Sequence, residues 1–333
     1  FYVFTINGFP YGSFHGQPVK AEVYRPDWSS DERLRYTLAL ADLLAAWLPE
    51  GVSGSISTVP VGYAADLASA PDRIERSVRH LTAAARHLDA LRRRTGKDLC
   101  LALEPEPWCV LETGAQAVDF FTRHLVPGGV DALSADGVSA RDAEEILHRH
   151  IGVCLDTCHA ALAFESPAEQ LALFAAAGIR VGKIQLSAAL SAGPAEGDAA
   201  HRALDALRPF AEPVYFHQTA ERRDGVMRRW ADLPDALSAM QSGARIGDVR
   251  VHFHVPLQWA GDGVLGSTRG NMDYGFWREA ARSGCPHLEI ETYTYSVLPA
   301  SLALADPADG IEQEYRWALA AIDAKKIDLP DGP

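Results

Sequence analysis

The sequence predicts a parallel-stranded α/β domain, a (β/α)8 barrel or a doubly wound sheet, and three observations carry that expectation. Short apolar runs alternate with longer helical patterns along all 333 residues. Most of those runs are continuously apolar, as parallel strands covered on both faces are. No Gly-x-Gly-x-x-Gly follows the first run and no P-loop occurs, which argues against the nucleotide-binding doubly wound sheet. No repeat, low-complexity segment or domain linker interrupts the pattern, so one domain over 1–333 is expected.

Each element has a local reason. Tyr2-Val3-Phe4-Thr5-Ile6 is β-branched and aromatic, and 2–7 reads as a strand. A core strand at the second residue of a chain without an initiator Met leads us to expect further sequence before Phe1. Over 31–48, Leu34, Leu38, Ala41, Leu44 and Leu48 keep helical spacing, with Ser29 and Glu32 as a capping box and Pro49 and Gly51 as the stop. Residues 53–61 are a strand. Residues 72–94 repeat the helical pattern through Ile74, Val78, Leu81, Leu88 and Leu91, ending in Arg92–Arg94 where the helix dipole favours cations. Further strands are expected at 99–104, 151–156, 181–187, 213–218, 249–255 and 287–293. Further helices are expected near 139–149, 167–177, 198–208, 230–240, 273–282 and 311–325, and Ser191–Gly197 reads as a loop.

Composition narrows the partners. The chain is 47% hydrophobic, enough for a full core. Forty-four acidic against 31 basic residues give a formal charge of −13, which disfavours nucleic acid. The apolar runs are short and interrupted, so no membrane insertion is expected. Five cysteines, with no basic and apolar leader visible, point to reduced thiols and a cytoplasmic setting, and an oligomer is compatible with the sequence.

The chemistry lies at the ends of the strands. Run 99–104 ends in Glu104, 151–156 in Asp156 followed by Thr157-Cys158-His159, and 181–187 holds Gln185. Run 213–218 ends in His217-Gln218, 249–255 holds His252 and His254, and 287–293 holds Glu289 and Glu291. In a barrel these ends converge on one mouth. Glu104, Asp156 and Glu291 brought together would repel one another without a cation, and with imidazoles and an amide oxygen they form an O/N set suited to Mn, Mg, Zn or Co. His252 and His254 share a face by period-two spacing, one as ligand or substrate contact and the other structural. Glu289 and Glu291 also share a face, and Glu291, nearer the strand end, is the chosen ligand. Cys154 and Cys158 lack Cys-x-x-Cys spacing and read as structural thiols. Asn7 and Tyr11 after the first strand, and Trp108 and Trp259 after later ones, are expected to line the mouth. The Arg-rich segment Glu221–Trp230 around Asp224-Gly225 reads as a solvated hairpin, or as a lid offering Arg222 to an anionic substrate.

Glu104 together with Cys154-Leu155-Asp156-Thr157-Cys158-His159 resembles the xylose isomerase-like barrel superfamily, and the second string is especially like its abasic-site endonucleases. More narrowly, Phe4–Gly12, Ile56–Pro60, Glu104–Pro107, His252–Leu257 and Glu289–Thr294 are similar to the metabolite traffic protein EboE family. The resemblance implies a (β/α)8 barrel holding a divalent metal through a Glu, an Asp, a His and a last Glu. Glu104, Asp156 and Glu291 match the three carboxylates. The His position falls on Gln185, so either its amide oxygen or an imidazole of His217 or His254 would serve. His159 matches a second-metal or substrate-contacting His. Relatives carry the first Glu on the fifth strand, whereas Glu104 is on the third counted here. The resemblance therefore implies two missing N-terminal strands and an excursion or lid about 213–255.

The function expected is metal-dependent isomerisation or epimerisation of a small polar sugar-like or cyclitol-like metabolite. Glu104 and Glu291 would abstract and return the proton, and His159 would orient a hydroxyl. A non-catalytic metabolite carrier or scaffold is one alternative. A metal-dependent phosphodiesterase of the abasic-site type is another, disfavoured by the charge and by Gln185.

Overall fold

The structure is a computed structural model, and it describes residues 2–12, 20–68, 72–241, 243, 245–303 and 306–324. In chain order its strands are β1 (Thr5–Asn7), β2 (Gly54–Thr58), β3 (Leu99–Leu103), β4 (Ile151–Asp156), β5 (Val181–Leu186), β6 (Ala189–Ala192) and β7 (Ala195–Glu196). They continue as β8 (Thr219–Arg223), β9 (Val226–Trp230), β10 (Arg245–Ile246), β11 (Asp248–His254), β12 (Gly266–Ser267) and β13 (Leu288–Ile290).

Six of them form one parallel sheet in the order β1-β2-β3-β4-β5-β13. β2 to β5 are buried at every position, and β3 and β4 carry the continuous apolar runs this requires, whereas β2 fills its buried positions with small Gly, Ser and Thr side chains around Ile56. The sheet curls into a half-barrel whose edges approach each other. The Phe4 ring lies 5.0 Å from that of His287, and Asn7 Nδ2 donates to Glu291 Oε1 at 3.1 Å. Register sets the site: Asp156 of β4 pairs with Gln185 of β5, which pairs with Glu289 of β13. Close strand packing requires Gly152 on β4, where a Cβ would lie 2.3 Å from the Arg180 carbonyl oxygen.

The strand count differs from eight among the described residues, for two reasons. The expected strand 213–218 is a loop, because the Glu212 carboxylate accepts from Val214 and Tyr215 N–H at 2.7 and 3.0 Å and so takes up donors a ladder would need. Run 249–255 lies in a second, antiparallel sheet of order β12-β6-β11-β8-β9. Its opening Asp248-Val249-Arg250-Val251 alternates half-buried with buried, the mark of an antiparallel strand rather than a barrel strand. This sheet starts two residues after β5, and the β8–β9 hairpin turns at Asp224-Gly225.

The helices follow their periodic stretches. The 72–94 pattern is the helix Asp72–Thr95, and 311–325 is Pro307–Ala324, with residue 325 outside the described residues. The first helix, Asp31–Trp47, is capped by Ser30, not Ser29, whose hydroxyl instead donates to Asp27 at 2.6 Å. Helix spanning Gly114–Ala135 was not expected, since Pro127-Gly128-Gly129 reads as a breaker. Pro127 is tolerated at the start of the Val126–Ala135 segment, after a π-turn at Phe121–Leu125. All five cysteines are free and buried, and no helix among the described residues is long and apolar enough to cross a membrane.

Candidate metal centre

Glu104 follows β3 directly, Asp156 ends β4, and Glu291 continues β13 by donating its N–H to the Leu186 carbonyl at 3.1 Å. One oxygen from each carboxylate lies within 4.8 Å of the other two. Asp156 is the most firmly held. Its Oδ1 caps the helix Thr157–Leu162 by accepting from the N–H groups of Cys158 (2.7 Å) and His159 (3.0 Å), and also from Ser187 Oγ (2.7 Å). Its Oδ2 is buried, and among the described residues it meets no N–H or hydroxyl donor, only the Glu291 carboxyl.

Three imidazoles stand beside these carboxylates, and their Nδ1 partners determine which nitrogens are left. The Nδ1–H of His159 donates to the Pro105 carbonyl at 3.1 Å, that of His254 to the Glu291 carbonyl at 2.7 Å, and that of His252 to Gln218 Oε1 at 2.8 Å. Each ring therefore keeps its lone pair on Nε2. His159 Nε2 and His252 Nε2 face each other at 3.1 Å, and His254 Nε2 is buried without a partner. Two imidazole lone pairs at that distance repel, and a cation between or beside them removes the repulsion. Donor atoms of Asp156, His159 and His254 converge within 4.8 Å, as do those of Glu106, His159 and His252. These buried groups can hold a metal ion.

The electrostatics agree with the donor count. Burial pushes His159 down to about 4 and His252 well below its ordinary value, so both are neutral imidazoles at neutral pH. Burial, then the Asp156 charge, pushes Glu104 and Glu291 well above the usual carboxylate range. Burial opposes ionisation of Asp156 too, yet His159, His254 and its hydrogen bonds hold it below that range. Glu106 is raised to about 8, by burial first. The Lys183 ammonium, wholly buried, pairs with Glu289 at 2.5 Å. One lysine does not balance this many carboxylates, which is the deficit a divalent cation fills. Cys158 also lies near His252 and His254, but burial raises its thiol well above the ordinary value and leaves the donor set O/N in character.

The remaining residues singled out in the sequence divide by place. Asn7 lines the cavity and donates to Glu291, and His252 lines it too. Gln185 lies beside Glu104; with its amide turned so that the nitrogen faces the carboxylate, it donates at 3.0 and 3.2 Å to the two oxygens and orients Glu104. His217 has both nitrogens engaged, by Glu212 at 2.7 Å and the His252 carbonyl at 2.9 Å, and is outside the converging donors. Tyr11 donates to Glu32 at 2.6 Å on the surface, Trp108 stacks under Arg229 at 4.2 Å, and Trp259 packs against the core. Arg222 lies over the Phe164 ring at 4.5 Å. None of these four lines the cavity.

Sequence reasoning passed over Glu106, Tyr24 and Lys183. Tyr24 OH donates to Glu106 at 2.8 Å and accepts from Gln218 Nε2 at 2.7 Å, which fixes the amide that holds His252. A lone lysine inside the apolar run Val181–Leu186 was the readable signal for Lys183, and Pro105-Glu106-Pro107 was the signal for Glu106. The whole arrangement opens into a cavity of about 390 Å³ at the C-terminal ends of the parallel strands. Compared with protein-family models, curated proteins and solved structures, the chain matches none.

Proposed function

We propose that the protein is a metal-dependent isomerase or epimerase of a small polar, sugar-like or cyclitol-like metabolite. The proposal includes a (β/α)8 barrel of the xylose isomerase-like type akin to the EboE family, and a cytoplasmic setting. The observation that carries it is the convergence of uncommitted Nε2 lone pairs with Glu104, Asp156 and Glu291 at a strand-end cavity. Glu104, Asp156, His254 and Glu291 would hold the ion, Mn, Zn, Mg or Co by donor type. When bound, it supplies Lewis-acid polarisation of a substrate carbonyl.

The chain's own part is proton transfer. Of the three carboxylates that converge, Glu104, Asp156 and Glu291, the proton affinity of Glu104 and Glu291 is raised, which suits groups that take a proton beside a carbonyl and return it. Gln185 holds Glu104 in place through its amide. Asn7 does the same for Glu291. His159, fixed by Pro105, faces the cavity and orients a substrate hydroxyl.

The test is elemental mass spectrometry on purified protein, followed by a screen of ketoses and cyclitols for epimerisation. About one equivalent of metal is expected, lost in Asp156→Ala. Turnover should fall at least a hundredfold in Glu104→Gln, the roughly 10²–10⁴ typical of a lost acid–base group. A Glu104→Gln variant with full turnover would refute the assignment.

A further inference from the structure

We infer that the sugar-like or cyclitol-like metabolite taken by this cavity carries no phosphate and bears an apolar body beside its chelating oxygens. This inference rests on the metal-centred reading above and adds the substrate class to it. The strand ends supply the acids and imidazoles, but the loops beyond them supply a different surface. Phe9, Val23, Tyr24, Tyr215, Phe216 and Tyr293 all line the same cavity.

These rings are held in place by one another. Phe9 and Tyr24 meet edge-on with centroids 6.0 Å apart, and Tyr215 and Tyr293 do so at 5.0 Å. Tyr24 already spends its hydroxyl on Glu106 and Gln218, so what it presents is its ring. The hydroxyls of a sugar-like or cyclitol-like head find partners at the strand ends, among Asn7, His159, Gln218 and Thr292, whereas a hydroxyl set against the rings of the loops would go unanswered, which is costly. An aliphatic or aromatic body would instead bury apolar area there.

A phosphorylated substrate finds no uncommitted side-chain cation in the described lining. Four carboxylates, Glu104, Glu106, Glu289 and Glu291, line the cavity, and Lys20 is the only lysine or arginine among its described lining residues. That ammonium is already committed, 2.5 Å from Asp232 and 5.3 Å over the Phe216 ring. Sites for a phosphate ester present free guanidinium or ammonium groups, or a helix N-terminus. The N-terminus of the α-helix Thr157–Leu162, beside the carboxylates, is capped by Asp156, and the 3-10 turns Lys20–Tyr24 and Tyr293–Val297 that begin at the cavity are short, five residues each.

Hydroxamates test this directly, since acetohydroxamate, benzohydroxamate and phosphoglycolohydroxamate share one chelating head and differ only in the tail. Calorimetric titration of each into the Mn- or Zn-loaded protein, with metal content measured on the same samples, gives the comparison. Benzohydroxamate should bind roughly tenfold or more tighter than acetohydroxamate, as burial of a ring predicts. Phosphoglycolohydroxamate should bind no tighter than acetohydroxamate, and Phe216→Ala should remove most of the benzohydroxamate gain. Equal binding of the acetyl and benzoyl compounds to fully loaded protein, or tightest binding of the phosphorylated one, would overturn the inference and leave the metal-centred reading standing. Protein that takes up no metal and binds none of the three would overturn both.

Discussion

Metal-free protein should become less stable as the pH rises above neutrality, the reverse of what ordinary paired carboxylates produce. Glu106 is held at about 8 against an ordinary 4.5, chiefly by burial. Between those values the folded chain keeps a proton that the unfolded chain releases. Stability therefore falls with pH through that window, by about 1.4 kcal/mol per unit for each proton, on the order of 5 kcal/mol in all for Glu106. Histidines hide the lower part of the window. His159, held at about 4 by burial, and His252, lowered further, are neutral in the fold while the unfolded chain protonates them, so their contribution makes stability rise up to the ordinary histidine value of 6.5. Above it they no longer contribute. Glu104 and Glu291, both raised, then act in the same direction as Glu106. Between about pH 6.5 and 8, Glu106 alone should remove about 2 kcal/mol, or about 3 °C in Tm for a chain of this size. The assay is differential scanning calorimetry of chelator-treated protein across that range, wild type beside Glu106→Gln, which should lose one proton's share of the slope. Saturating Mn or Zn should reverse the sign, because the ligands must be deprotonated to bind. A melting temperature of the metal-free protein that stays flat from pH 6.5 to 8 would refute the reasoning.

Other expectations are local. Lys183→Met leaves the half-buried Glu289 without its cation and should cost about 1–3 kcal/mol, with the double change Lys183→Met, Glu289→Leu regaining part of it in chemical unfolding. Indistinguishable single and double variants would show that the pair is not coupled. Gly152→Ala drives a methyl into the Arg180 carbonyl and should cost at least about 2 kcal/mol by the same measurement, and wild-type stability would mean that the edge between β4 and β5 yields. Arg222→Ala should leave metal content and hydroxamate affinity unchanged and shift stability by no more than about 0.5 kcal/mol, whereas lost affinity would put this hairpin arginine over the cavity.

What could be read in advance was whatever the chain states locally. An apolar run that stops at a carboxylate is visible in one dimension, so Glu104, Asp156 and Glu291 stood out, and period-two spacing put His252 and His254 on one face. The long helix Asp72–Thr95 was legible for the same reason, its apolar positions recurring over six turns. Helix through Gly114–Ala135 was not, because Gly128 and Gly129 look like breakers until the fold shows what they face. A Cβ at Gly129 would lie 2.7 Å from a Leu147 methyl, so glycine there answers a packing demand from another helix. The loop at 213–218 has strand-like composition, and only the hydrogen bonds of Glu212 reveal that its backbone is otherwise engaged. The candidate centre shows the same division at the level of single atoms. His159, His217, His252 and His254 are equally good metal ligands by composition. What separates them is the partner each ring meets: carbonyl oxygens of Pro105 and Glu291 and the Gln218 amide take only Nδ1, whereas Glu212 and the His252 carbonyl take both nitrogens of His217. Those partners come from up to 54 residues away in the chain, as Pro105 does from His159. Residue types announce which donors a site has. The fold decides which donor atoms remain unspent, and a cation is specified by those.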